Sequence, residues 1–493
     1  MPEEGILVGY TWLVDHLEGL DIYLPLPEKF SMIGKKTKYY EDKGWSVYNR
    51  EIKATTEKDH LFFALKHEGL DLMIIKNLLK YLGPEWIVAL QKESKTSIYV
   101  RKCWFLYEWF FEEELPIEKL TMGNYIDLVD TNLQYAAKGV NSRRQRVRNN
   151  LPGNPLFCPL INKSTRLEDF VKKNLDKEIK EGLAANELRL IKRAAAFLLL
   201  EDSQASFEIE KEKPSPSRAR NWGKVIGLAG KEDLSISEIE RLQQIVFGKN
   251  KLKKEMGVRK NQEGFIGNYS KEYIPDPVHI SAKYIDLPDL MKAWLNCAQK
   301  LEENIHPVLA ATVIAFGFVF IHPLADGNGR IHRYLIHHML ARTQFAPSDM
   351  IFPISAAILD RIREYQAILE SYSSPRLEMV EWDFSSNYDF KITNDTRDVY
   401  GFYNLTKQAE FLFQCIEDTI REIIPREIEY LKNYDQMFDE VNDLVALPNA
   451  RLNLLIRMLS QNKGKLSKGK RKHFDELSDE EIASIEKIYT AVF

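Results

Sequence analysis

A chain of 493 residues has room for about three domains at ~150 residues each. Its 44% apolar and 28% charged residues suit a globular protein with its own buried core, and 68 basic against 72 acidic residues leave a formal charge of −4. That balance disfavours nucleic-acid binding through bulk charge, and four scattered cysteines without a CxxC pair argue against a disulfide framework or zinc ribbon and for free thiols in a reducing, cytoplasmic setting.

The chain begins MPEEGILVGYTWL, with early acids, no basic stretch and no small-residue cleavage site, so it is not read as a signal peptide. A first zone runs from Met1 to Leu160. Apolar residues recur at three and four over His60–Leu79 and Val100–Phe111, which predicts helices. Trp104, Phe105, Tyr107, Trp109, Phe110 and Phe111 at helical spacing are expected in the core. Residues 1–160 are therefore expected to form an N-terminal helical domain, to which no role is assigned. The zone closes on Arg143, Arg144, Arg146 and Arg148, then on Asn-Asn-Leu-Pro-Gly-Asn-Pro, which should end any helix.

The second zone, residues 164–434, is mostly helical by pattern. A helix ending near Glu210 is stopped by Pro214 and Pro216. Gly257–Leu287 holds glycines, prolines and the β-like piece Val278-His279-Ile280-Ser281, and is read as a hairpin inserted among helices. The longest largely apolar run, Val308–Ile321, has fourteen residues, short of the ~20 that span a bilayer, so no membrane association is expected. The third zone, residues 435–493, carries two helical patterns separated by a Lys/Gly/Ser linker, Gln461–Lys472. Ser478 ahead of Asp479, Glu480 and Glu481 predicts a capped helix start. The fold class is thus mostly α, with one short β-hairpin and a helical C-terminal tail.

The chemistry concentrates in His322-Pro-Leu-Ala-Asp-Gly-Asn-Gly-Arg-Ile-His-Arg333. An apolar helix delivers a histidine, a short loop follows, and a new helix begins. Gly327 and Gly329, flanking Asn328, remove side chains so that backbone N–H groups can face one oxyanion at a helix N-terminus. Arg330 and Arg333, three apart, lie on neighbouring positions of one helical face and can clamp further phosphates. Asp326 offers a hard oxygen for Mg²⁺. His322 is placed to take a proton at neutral pH. A base, a metal ligand, an anion nest and two cationic clamps together describe transfer of a phosphorus-bearing group.

These twelve residues resemble the signature of the Fic family, His-Pro-Phe-x-Asp/Glu-Gly-Asn-Gly-Arg-x-x-Arg, with Leu324 in place of the usual Phe. Leu324 keeps the position apolar and is expected to pack under the loop. The resemblance implies a Fic-type helical core and transfer of AMP from ATP to a Ser, Thr or Tyr hydroxyl of a target protein. His322 would deprotonate the hydroxyl and Asp326 would hold Mg²⁺. Gly327, Asn328 and Gly329 would hold phosphate oxygens. Arg330 and Arg333 would grip the β- and γ-phosphates. Tyr365 falls where the family often has an adenine-side tyrosine. The piece Val278, His279, Ile280 and Ser281, in a flap near residues 272–285, resembles the hairpin that pairs with the target backbone.

Ser206-Phe-Glu-Ile-Glu210-Lys211 resembles the family's inhibitory motif Ser/Thr-x-x-x-Glu-Gly/Asn, in a helix near residues 195–211 upstream of the core. There the glutamate pairs with the second motif arginine, here Arg333, so that ATP binds unproductively. Lys211 stands in place of Gly or Asn and bears on how the helix ends. Other nucleotide transfer, removal of AMP on the same core, and a regulatory DNA- or protein-binding module with a weakly active core are the alternatives. Gly329 argues against relatives with kinase-like use, which lose that glycine. Self-modification and a homodimer are left open. His332, His337 and His338 are read as packing residues rather than metal ligands, and His279 as a residue of the flap. The basic patches Arg143–Arg148 and Lys463–Lys472 are read as solvated or paired with acids.

Overall fold

The structure, a computed structural model, describes residues 5–17, 30–42, 44–184, 186–248, 256–345, 352–385 and 390–493, and these are mostly helical. The first zone opens with β1 (Ile6–Leu7), α1 (Gly9–Leu17), β2 (Phe30–Ile33), β3 (Tyr40–Asp42) and β4 (Trp45–Tyr48). These strands form a sheet of order β1-β2-β4-β3, in which β2 and β4 are parallel. The sequence pattern pointed only to helices here, because strands of two to four residues are too short to show an alternation. The helical pattern at His60–Leu79 is divided. α2 (Glu57–His67) starts from a capping box of Thr56 and Asp59, and α3 (Leu72–Glu93) is capped by the Asp71 side chain. Between them Gly69 adopts φ +90°, outside the helical region, and α3 is itself kinked at Gly83, which adopts φ +75° just before Pro84.

The aromatic run forms α4 (Ile98–Phe111), which buries Trp104, Phe105, Tyr107 and Phe110. A second small sheet follows from β5 (Ile126–Asp127), β6 (Val140–Ser142) and β7 (Val147–Asn149). Three arginines of the basic run are engaged there. Arg144 pairs with Glu108 at 3.1 Å, Arg148 pairs with Asp127 at 2.9 Å, and Arg146 donates to the carbonyls of Leu120 and Gly123.

One hydrophobic core runs through the first and second zones, from Tyr10 to Leu431. The backbone stitches them together: Leu160 N–H donates to Tyr403 O at 2.9 Å, and Leu405 N–H donates to Leu160 O at 2.8 Å. Gly317 leaves space for the Phe157 ring, which would lie 2.5 Å from a Cβ at that position.

The second zone comprises α5 (Thr165–Lys172), α6 (Leu175–Ala184), α7 (Leu188–Ile209), α8 (Pro216–Ile226), α9 (Ile236–Phe247), β8 (Phe265–Tyr269), β9 (Pro275–Ile280), α10 (Leu287–Leu301), α11 (Pro307–Ile321), α12 (Asn328–Arg342), α13 (Ile354–Asp360), α14 (Ile362–Leu377), β10 (Trp382–Phe384), β11 (Phe390–Ile392) and α15 (Thr406–Asp418). The apolar run Val308–Ile321 is α11, buried at every position, which is why it has no polar face. Among the described residues no helix is long and apolar enough to cross a membrane. α12 packs along α11, and α7 is fixed beside it through Asp202. That buried carboxylate accepts from His337 Nε2 at 3.0 Å and from Ser355 Oγ at 3.1 Å.

α16 (Ile424–Leu444) leads into the tail, with α17 (Asn449–Ser460), α18 (Lys468–Arg471) and α19 (Asp479–Val492). Met437, Leu452, Ile456, Phe474 and Ile485 give this part its own small core. Ser478 caps α19, as the sequence predicted, and Glu481 also returns the bond to complete a capping box. In the basic linker Lys465 pairs with Glu486 and Arg471 with Asp479.

Candidate active site

The site is built where α11 ends and α12 begins. His322 terminates α11 in a left-handed conformation, φ +52° and ψ +56°, with Pro323 preventing continuation. Its Nδ1 lies 3.2 Å from the Val319 carbonyl, which can only accept, so Nδ1 carries the proton. Nε2 is left as the lone-pair nitrogen. Burial, with the nearby positive charge of Arg259, lowers the His322 pKa to about 4. The ring is therefore neutral at pH 7, the form a base requires.

The loop after His322 is pinned from several sides. Asn328 turns its side chain back, accepting from Leu324 N–H at 3.0 Å and donating to Leu324 O at 2.8 Å. Its function in the loop is thus side-chain tethering as well as backbone presentation. Leu324 is fully buried under the loop, as its apolar character predicted, and bridges to Val258. Gln243 of α9 donates to the Asp326 carbonyl at 2.8 Å while accepting from Gly257 N–H. Gly327 has φ +94°, and no side chain caps α12. The first-turn N–H groups at Asn328, Gly329 and Arg330 are consequently available to an anion.

Arg259 is the main residue that the sequence did not single out. It is buried and donates to His322 O at 3.1 Å, Ala282 O at 2.7 Å and Gln262 O at 2.9 Å, while its backbone N–H donates to Pro323 O. One guanidinium thus ties the motif loop to the base of the hairpin. Desolvation lowers its pKa to about 10, which leaves it charged at neutral pH. A lone arginine in Gly-Val-Arg-Lys-Asn-Gln carries no spacing signal.

Both motif arginines are buried, and each meets a carboxylate from the end of α7. Arg333 donates from Nε to Ser206 Oγ at 3.1 Å, and from Nη2 to Ser206 O at 2.6 Å and Glu210 Oε1 at 2.9 Å. Gly329 makes room for this, since a Cβ there would stand 2.1 Å from Glu210 Oε1. The Glu210 carboxylate therefore lies over the N-terminal turn of α12, where an anion is favoured. Arg330 pairs with Glu212, and its Nη2 lies 3.4 Å from Asp326 Oδ1. Its guanidinium sits over the rings of Phe247 at 4.8 Å and Phe207 at 5.4 Å. Glu212 was not among the residues found from sequence.

The end of α7 explains this placement. Lys211 N–H donates to Glu208 O and Glu212 N–H donates to Phe207 O, with Lys211 at φ +57°. This is a Schellman turn, which usually holds glycine at the left-handed position. Lys211 adopts that conformation despite its Cβ, so the helix ends where a Gly or Asn would have ended it.

The remaining expected residues fall as follows. Tyr365, on α14, is buried beside Arg333 and Glu210. Burial raises its hydroxyl pKa to about 12, and the charge of Arg333 opposes that rise. It thus stands at the arginine end of the site. β8 and β9 form the hairpin, antiparallel with a bulge at Ile266/Gly267, and it starts upstream of residue 272. Val278 is exposed, whereas His279, Ile280 and Ser281 are buried. His279 bonds Ser373 Oγ at 3.0 Å, and its ring lies 5.8 Å from that of His322. His332 bonds Ala315 O, His337 bonds Asp202 and His338 accepts from Gly230 N–H, so all three are engaged in packing.

The donor set fits a nucleotide polyphosphate. Arg330 Nε and Arg333 Nη1 are buried donors without an acceptor, next to a helix N-terminus and two glycines. For a metal, the described residues contain no group of three or more His, Cys, Asp or Glu side chains in reach of one ion. A single half-exposed carboxylate, Asp326, suits Mg²⁺, which takes one or two carboxylates and completes its shell with phosphates and water.

Residues 233–340 match the Fic/DOC family, so the chain carries a Fic/DOC domain that includes α9, the hairpin and the whole motif loop. α7 and Tyr365 lie outside the matched residues. Over 123 residues the chain is 28% identical to "Protein adenylyltransferase fic-1" of Caenorhabditis elegans, which is 25% of this chain and 22% of that protein. Over 72 residues it is 39% identical to "Protein adenylyltransferase Fic" of Culex quinquefasciatus, 14% of each chain. The match thus spans less than a quarter of these relatives' length. Among solved structures, a Fic family protein from Desulfovibrio desulfuricans aligns with 55% of this chain and 78% of its own, at TM-score 0.40 and 18% identity. A Fic domain containing signaling protein from Bacteroides thetaiotaomicron aligns with 52% of this chain and 96% of its own, at TM-score 0.34 and 16% identity.

Proposed function

From a chain that carries a Fic/DOC domain, we propose a protein adenylyltransferase that moves AMP from ATP to a Ser, Thr or Tyr hydroxyl of a protein and is held in check by Glu210. The observation that carries this reading is a neutral His322, tied through Nδ1 to Val319 O, in the same loop as a two-arginine anion cradle. His322 Nε2 accepts the hydroxyl proton as the oxygen attacks the α-phosphorus. The bond from that phosphorus to the bridging oxygen of the β-phosphate breaks, and pyrophosphate leaves. The N–H groups at Asn328, Gly329 and Arg330 hold phosphate oxygens. Arg330 and Arg333 stabilise the charge that gathers on the leaving group. Asp326 is the residue that would hold Mg²⁺, which supplies charge neutralisation on the phosphates.

In this reading residues 164–434 perform the transfer, with the hairpin presenting the target backbone through its exposed Val278 side. Residues 1–160 and 435–493 serve target choice or regulation. Four free, buried cysteines support a cytoplasmic setting. The test is incubation of the full chain with Mg²⁺ and ATP labelled on the α-phosphate, with and without His322→Ala. Label should enter the wild-type protein and vanish in the variant, with ATP affinity nearly unchanged. Loss of ATP binding in His322→Ala would make His322 structural. Absence of label from a Glu210→Gly protein that binds ATP would overturn AMP transfer.

A further inference from the structure

The pairing of Glu210 with Arg333 leaves the first motif arginine to be explained. In the structure Arg330 already has a carboxylate partner, although its Nε is left without an acceptor: its Nη1 is bonded to Glu212 Oε2, and only 4% of its side chain is exposed. Glu212 is two residues beyond Glu210, on the far side of the Schellman turn at Lys211. That turn reverses the chain within one residue, so the C-cap residue and the second residue after it both face α12. Two carboxylates on one turn therefore meet two arginines on one helix. Glu212 does not rest on Arg330 alone. Its other oxygen, Oε1, accepts from Arg218 Nη1 of α8 at 2.6 Å. Arg218 is itself held by Val246 O at 2.8 Å and by the Phe207 ring at 5.0 Å.

We infer that Glu212 is a second inhibitory carboxylate, which occupies Arg330 in the resting enzyme and transfers to Arg218 when a nucleotide phosphate takes its place. This rests on the proposed nucleotide site and adds to it a second, separately removable lock. The charge argument is direct. A triphosphate brings several negative charges to a site already holding Glu210, Glu212 and Asp326. Like charges held this close repel, so phosphates and carboxylates compete for the same guanidinium donors. Glu210 can leave toward solvent, since a third of its side chain is exposed. Glu212 has a fixed cation to fall back on, so its displacement from Arg330 leaves no unpaired buried charge.

Calorimetric titration of the full chain with Mg²⁺-ATP, alongside labelling from α-labelled ATP, separates this from the parent reading. Glu212→Gln keeps the shape and removes the charge. It should tighten ATP binding by about fivefold or more, the usual scale of coupling between sites, and should do so again on top of Glu210→Gly. Arg218→Met should act in the opposite sense in the Glu210→Gly background, weakening ATP binding because Glu212 then has only Arg330. Thermal melting of each variant reports whether it is folded. Unchanged or weaker ATP binding in Glu212→Gln, with the melt intact, would overturn the lock and make Glu212 a residue that positions Arg330. If Glu212→Gln fails to fold, the direction of the Arg218→Met effect decides. Tighter ATP binding by Glu212→Gln in the Glu210→Gly background without any label would keep the second lock and overturn AMP transfer.

Discussion

Glu210 and Arg333 meet at 2.9 Å across the gap between α7 and α12, and the contact exists only because residue 329 has no side chain. The arginine brings three of its bonds to two residues of the same helix end, Ser206 and Glu210. It is thereby fully occupied on the side facing α7.

Glu210→Gly removes the charged partner but leaves both bonds to Ser206, so Arg333 should stay in place and become available to a phosphate. Label from α-labelled ATP is expected to rise by about fivefold or more over wild type. A charge-assisted bond on a partly exposed carboxylate contributes about 1–2 kcal/mol, so the melting temperature should drop slightly while activity rises. Parallel labelling and melting measurements check both signs. Activity that falls along with stability would mean that the pair serves to hold Arg333 for the reaction.

Buried neutral histidines set a pH limit on stability. Burial lowers the pKa of both His279 and His332 to about 3, from an ordinary value near 6.5. Below ~6.5 the unfolded chain takes up these protons and the folded chain does not. Stability from keeping them neutral is therefore complete above that value and is lost as pH falls toward the folded pKa. Each contributes about 1.4 kcal/mol per pH unit across that window. Urea unfolding at pH 7, 6 and 5 should give falling midpoints. Replacing His332 by Gln, which can still donate to Ala315 O, should flatten the slope by one proton. An unchanged slope would show that His332 is protonated in the folded chain.

The sequence exposed what depends on neighbours in the chain and hid what depends on distance. The histidine, the glycines and the arginines lie within twelve residues, and their spacing alone brings them to one helix start. Ser478 and the acids that follow it are likewise adjacent, and the capped helix start was legible, though the return bond from Glu481 was not. Arg259 and Gln243 were not, because each acts on a loop more than sixty residues away through bonds to main-chain carbonyls that any sequence would supply. Val278 to Ile280 read correctly as β structure, with Ser281 just past the strand end, but alternation could not tell which side chains would face inward. His279 and Ser281 are buried because the hairpin base packs on α14 and the motif loop, a tertiary fact. Glu212 escaped notice for a further reason. It stands after the helix, where periodicity ends and only the turn geometry decides direction.

Lys211 is where that geometry carries a cost. A left-handed conformation, adopted by Lys211 at φ +57°, costs a residue with a Cβ about 1–2 kcal/mol. Lys211→Gly should remove the strain at a position whose backbone bonds, Lys211 N–H to Glu208 O and Glu212 N–H to Phe207 O, remain possible. Glycine's greater freedom in the unfolded chain takes back part of the gain, leaving about 0.5–1 kcal/mol of added stability. The firmer turn holds Glu210 and Glu212 more tightly on their arginines, so labelling from ATP should fall as stability rises. That coupling is the useful part of the prediction, because a glycine that merely loosened the segment would raise labelling and lower the melting temperature. The same substitution made in a Glu210→Gly, Glu212→Gln chain should keep its stability gain and lose its effect on labelling, since the turn would then have no carboxylate to deliver.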